Sequence, residues 1–306
     1  MMHRRTFAPL AGLTLFLAAC GGAEPAPMTP APEAGFPTEM PAPMPVSDVV
    51  FPDYHERTLR NGARLVVVEN REQPVVSIQL LLPGAGTAAD PGELTGLASV
   101  TASLLDKGTE DMTSAELAEA ADFIGARLGA GASSEWSSVS LTVITDFLDR
   151  GLELMSDVVL NPTFPQEELD TEKTRRISAL RLNRSQPGSL AAETFTKEVY
   201  GAHPYGQVET AATIGAIEAD DLERFHEARY RPANALFVVA GDVNPAEIAR
   251  KIELSFAGWE GTATAQASAP RPPSRAGREL VFVHKPGSVQ AVIQMGHLFP
   301  SATEAD

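Results

Sequence analysis

Apolar and polar positions alternate along 63–68 and 75–82, two β-branched runs on either side of a polar, turn-prone stretch at 70–74, and this predicts a pair of strands. Residues 136–144 and 235–240 carry the same signature. Elsewhere the apolar period lengthens to three and four. Leu94, Leu97, Ala98, Thr101 and Leu105 would share one helix face, as would Leu117, Ala121 and Ile124. Further helices are predicted over 147–159, 166–182, 190–200, 221–230 and 246–256. Paired strands followed by runs of helices point to an α+β domain, an antiparallel sheet covered by helices, in preference to a parallel βαβ array.

Two stretches without periodicity break this pattern. Residues 20–52 are rich in Ala, Pro, Met and Glu, with Pro25-Ala26-Pro27 and Pro41-Ala42-Pro43, and read as an extended tether. Residues 262–278 are again rich in Pro and Ala and mark a linker between a first domain, 53–261, and a second that starts at 279. Two more strands are predicted there, at 279–284 and 289–295, with no helix to cover them before Asp306. A lone hairpin is not stable by itself. Residues 279–306 are therefore expected to be the opening of a second domain that is completed by further sequence or by another chain.

The N-terminus adds a destination. Arg4 and Arg5 precede an apolar run at 7–19 that is too short to cross a bilayer, the composition of an export signal spanning 1–19. Arg4-Arg5-Thr6-Phe7 hints at a twin-arginine route. Leu17-Ala18-Ala19-Cys20 resembles a bacterial lipobox, in which Cys20 becomes the lipidated N-terminus and acyl chains anchor the protein. The expected location is the bacterial cell envelope, membrane-anchored and facing the periplasm. Cys20 is the single cysteine, so no disulfide or cysteine metal site can hold the fold, and a packed apolar core must do so. A net charge of −16 and no basic cluster outside the signal exclude a nucleic-acid-binding footprint.

Several segments in order resemble the insulinase/pitrilysin family, and within it the mitochondrial-processing-peptidase-like branch. They are Leu59-Arg60-Asn61-Gly62, Leu82-Pro83-Gly84-Ala85-Gly86, Glu93-Leu94-Thr95-Gly96-Leu97-Ala98, His203-Pro204-Tyr205-Gly206, Tyr230-Arg231-Pro232-Ala233-Asn234 and Val238-Val239-Ala240-Gly241-Asp242-Val243. The resemblance implies that family's metallohydrolase fold, with a second similar domain after the first. It also implies a helix after Gly96-Leu97-Ala98 bearing His-x-x-Glu-His, whose two imidazoles lie about 40° apart around the axis. Here Ser99, Ala102 and Ser103 stand at the positions of the first histidine, the glutamate and the second histidine, and Lys107-Gly108-Thr109 follows in frame. A third ligand, counted from Ser103, falls near Ala179, with Glu172 two turns earlier. Zinc needs three or four N, O or S donors, and the metal ligands and the general base are all missing at these positions.

No other local site replaces them. His3, His55, His203, His226, His284 and His297 never stand at ligand spacing on one helix. His203 reads as a turn residue, His226 as a half-buried helix residue, and Asp106 as a solvated or capping carboxylate. Ser99 and Ser103 have no visible base for nucleophilic catalysis. The resemblance therefore implies a noncatalytic chain that positions an extended peptide for a catalytic zinc peptidase of the same family, with zinc held only by that partner. The alternative is an envelope lipoprotein that serves as a scaffold or binds peptides without any link to proteolysis. The lipid anchor is checked by fractionation. Cys20→Ala is expected to shift the protein from membranes to the soluble fraction, and retention in the membrane would argue against lipidation.

Overall fold

The computed structural model describes residues 52–263 and 270–299. The signal, almost all of the tether and part of the linker lie outside them. Six strands form one sheet in the order β1-β2-β6-β3-β5-β4. They are β1 (His55–Thr58), β2 (Arg64–Glu69), β3 (Val75–Pro83), β4 (Arg127–Ala132), β5 (Trp136–Ile144) and β6 (Leu236–Gly241). All neighbours are antiparallel except β2 and β6, which run parallel with Leu65 opposite Phe237. The expected antiparallel sheet is thus a mixed one. The reason is topological: β6 arrives after a long helical excursion and slots between β2 and β3, and a strand there must run parallel to one of two antiparallel neighbours.

Alternation decides which face is covered. Val76, Ile78, Leu80 and Leu82 on β3 and Val139, Leu141 and Val143 on β5 are buried, together with Leu65, Val67, Phe237 and Val239. Ser77, Gln79 and Ser140, one residue out of phase, are exposed on the other face. The buried face packs under helices α1 (Leu97–Leu104), α3 (Leu148–Leu160) and α8 (Pro245–Ser255). Phe256, just past α8, meets Phe237 of β6 edge to face at 5.1 Å. Burying these aliphatic and aromatic side chains, at roughly 1.5–3 kcal/mol each, is the main stabilising contribution in a chain without disulfides.

The remaining helices are α2 (Ser114–Phe123), α4 (Gln166–Arg184), α5 (Pro187–Tyr200), α6 (Ala211–Ala216) and α7 (Ala219–Arg229). Capping sets several of their starts. Thr113 and Glu116 form a reciprocal capping box for α2, and Asn244 accepts from Ala246 and Glu247 at the start of α8. One glycine is forced by packing: Gly241 has φ +140°, and a Cβ there would lie 2.1 Å from the Val75 carbonyl oxygen.

Two expected strands are absent. Residues 279–284 and 289–295 contain no strand, only a turn near 285–288, and Leu280, Phe282, Val289, Ile293 and Met295 are exposed. Alternating apolar residues become a strand only when a neighbour completes the hydrogen-bond ladder, and no neighbour pairs with them among the described residues. Among those residues, too, no helix is long and apolar enough to cross a membrane.

Candidate functional site

Helix α1 carries the three positions where the family motif would stand. Its entry is a sharp turn at Gly96, with φ +107°, a conformation in which a Cβ would also meet Ile214 at 2.5 Å. Asp90 caps this turn. Its carboxylate accepts from the amides of Gly96 and Ala98, both at 2.8 Å, where the first N–H groups of the helix have no partner of their own. Leu97, Ala98, Val100, Thr101, Ala102 and Leu104 are buried between the sheet and the neighbouring helices. Ser99 and Ser103 are half-buried, and the Ser103 hydroxyl meets α4.

The three motif positions are poor in donors. Ala102 is 1% exposed and offers only a methyl group. Ser103 Oγ donates to the Ser99 carbonyl at 2.7 Å, the back-bonding that a hydroxyl makes inside a helix. Facing them from α4 is Arg176. Its Nη2 donates to the Ser99 carbonyl at 3.0 Å and to Ser103 Oγ at 2.9 Å. Its Nε donates to Glu172 at 2.6 Å and its Nη1 to Glu209 at 3.2 Å. Glu172 also takes a two-pronged bond from Arg175, at 2.8 and 2.7 Å. Burial pushes the Glu172 carboxyl up, but the hydrogen bonds from Arg175 and Arg176 outweigh it and hold the group below its usual range.

Counting along the sequence places the third-ligand position near Ala179, which offers only a methyl group. Ala179 is exposed, and the α4 residue that reaches Ser99 and Ser103 is Arg176, nearly a turn earlier. The readable signal was the charge spacing: Glu172 with Arg175 and Arg176 is an i,i+3 and i,i+4 cluster.

The other candidates have ordinary roles. His203 accepts from the Tyr205 amide at 3.1 Å in a short turn. His226 on α7 is half-buried, holds the Val159 carbonyl oxygen at 2.8 Å and is kept below its usual pKa by burial. Asp106 pairs with Lys107 at 2.9 Å. Among the described residues no three His, Cys, Asp or Glu side chains converge as a metal site. A zinc ion does not fit at Ser99, Ala102 and Ser103, which offer two hydroxyls and a methyl group, while Glu172 and Glu209 are engaged by arginines and the Arg176 guanidinium bonds to Ser103.

Two family profiles cover most of the chain. Residues 64–208 match the insulinase profile, peptidase family M16, and residues 216–306 match the profile of the peptidase M16 inactive domain. The chain belongs to the insulinase-type peptidase family. The second match includes β6, a central strand of the sheet, so the join between the profiles is not a boundary of the fold. An uncharacterized zinc protease of Bacillus subtilis, YmxG, is 25% identical over 205 residues, 66% of this chain and 50% of that protein. An uncharacterized zinc protease of Mycobacterium leprae is 25% identical over 65% of this chain and 45% of its own length. This chain thus spans about half the length of the curated relatives it matches. A crystal structure of a peptidase M16 inactive domain from Pseudomonas fluorescens superposes with a TM-score of 0.68 at 27% identity, covering 72% of this chain and 54% of that one. Pitrilysin superposes at 0.64 with 20% identity over 74% of this chain and 25% of its own, a likeness of fold alone.

Asp90 makes the start of α1 sensitive to pH. Burial raises its pKa to about 7, against the opposing hydrogen bonds from Ala98 and Gly96 and with the help of the Glu209 charge. The folded chain then holds a proton that the unfolded chain has released, so stability falls as pH rises from about 4 to 7. Asp90→Asn is expected to flatten this slope in Tm measured against pH. An identical slope in the variant would refute the assignment.

Proposed function

We propose that this chain is a noncatalytic member of the insulinase-type family that positions an extended peptide for a catalytic zinc peptidase of the same family. The observation that carries the reading is the donor-poor surface of α1, where Ser99, Ala102 and Ser103 replace every group the family's chemistry requires. Metal-dependent hydrolysis then belongs to the partner, and zinc with it.

What remains is a frame suited to holding a peptide. β4, at one end of the sheet, pairs only with β5 among the described strands, and its run Gly129-Ala130-Gly131-Ala132 carries only small side chains. A half-buried strand with an unpaired row of N–H and C=O groups is a template for an added strand. The loop at Gly84 to Gly86 braces the turn between β4 and β5: the Gly84 amide donates to the Glu135 carbonyl at 2.8 Å and Thr87 to Ser133 at 2.9 Å. Ser137 adds a buried bond to the Ala85 carbonyl at 2.7 Å. These contacts hold the edge in shape before any ligand arrives, which lowers the ordering cost of binding.

In this reading the export signal and Cys20 hold the chain on a membrane of the bacterial envelope, facing the periplasm. The tether at 20–52 gives the folded part its reach, and the segment from 279 onward belongs to a second domain. The test is a pull-down of the full-length tagged protein from detergent-solubilised membranes, followed by a peptide-cleavage assay. Recovery near equal stoichiometry of a family peptidase with an intact His-x-x-Glu-His motif, with cleavage that rises when this chain is added back, is expected. A clean preparation without such a peptidase, or a partner whose cleavage ignores this chain, would refute the proposal and leave the scaffold reading.

A further inference from the structure

We infer that Arg176 is a built-in replacement for the metal cation, a guanidinium that carries the positive charge required between α1 and α4 and thereby makes this half of the fold independent of bound metal.

The argument starts from charge. Glu172 and Glu209 converge on one place from two separate elements, α4 and the segment before α6. Their side chains are only 10% and 27% exposed. The Ser99 carbonyl and Ser103 hydroxyl add two more oxygens from α1. The two carboxylates repel each other where they are partly withdrawn from water, and the Ser99 carbonyl and Ser103 hydroxyl, already bonded to one another, leave further acceptor capacity for a cation. Arg176, itself 16% exposed, stands among them and bonds to all four.

Arginine suits the task for geometric reasons. Its planar fork directs N–H groups to several acceptors at fixed angles, keeps its charge when half-buried, and needs no coordination sphere. The same residue joins three elements: α1, α4 and the chain near Glu209. Lys173, on the neighbouring turn of α4, reinforces the same junction through the Gly215 carbonyl at 3.3 Å. The inference concerns how the fold is held, so it stands whether or not the chain positions peptides for a partner.

The experiment removes the guanidinium and asks whether a free cation can return to its place. Thermal unfolding of the full chain is followed for wild type, Arg176→Ala and the double variant Glu172→Gln/Arg176→Ala, each in sodium chloride, in millimolar guanidinium chloride at matched ionic strength, and in zinc chloride. Arg176→Ala is expected to lower Tm by roughly 5–10 °C, as Glu209 loses its Arg176 partner and Glu172 keeps only the more exposed Arg175. Guanidinium or zinc should recover at least half of that loss in Arg176→Ala, with no gain in wild type and little in the double variant, which lacks one of the two carboxylates. If Arg176→Ala does not fold, Arg176→Gln takes its place. A variant as stable as wild type, or one whose response to both cations matches that of wild type, would overturn the inference.

Discussion

A guanidinium taken out of bulk water must find an acceptor for nearly every N–H it carries, and Arg176 finds four hydrogen bonds among Glu172, Glu209, the Ser99 carbonyl and Ser103. The site is built around this requirement. Helix α1 must be lined by small residues on the side facing α4, since an imidazole at position 99 or 103 would occupy the space the guanidinium needs. It must also begin where it does, which depends on the left-handed turn at Gly96 and on the two amides held by Asp90. The sheet beneath supplies the fixed floor, because α1 buries Leu97, Val100 and Leu104 in the core and cannot slide without exposing them.

Much of this was legible in the sequence where periodicity is strong. The β-branched strands β2, β3, β5 and β6 and helices α1 to α5, α7 and α8 follow from alternation or from the three-and-four spacing of apolar residues. β4 did not show itself, since Arg127-Leu128-Gly129-Ala130-Gly131-Ala132 has no β-branched residue and two glycines, and it is a strand because β5 pairs with it in register. β1 and α6 are too short for a period to register. The reverse holds beyond residue 279, where Val281, Val283 and Val289 have strand propensity but pair with no strand among the described residues.

The candidate site divides along the same line. That Ser99, Ala102 and Ser103 lack the groups needed for metal chemistry is a local fact, and the sequence carries it in full. That Arg176 reaches Ser99 and Ser103 is a tertiary fact. It depends on the rotation of α4 and on Glu209, which lies 33 residues further along the chain. The helix that supplies the arginine looks like an ordinary solvated helix, with charged residues on most of its surface and only Leu169 and Glu172 buried.

The chain belongs to the insulinase-type family, β4 pairs only with β5 among the described strands, and Ser99, Ala102 and Ser103 bring no imidazole or carboxylate to α1. The physical core of this account is that an arginine holds the place of a divalent cation. The most direct test is the metal content of the purified full chain after equilibration with excess zinc and gel filtration to remove loosely held ion. The account predicts far less than one zinc per chain, and one tightly retained equivalent would contradict it.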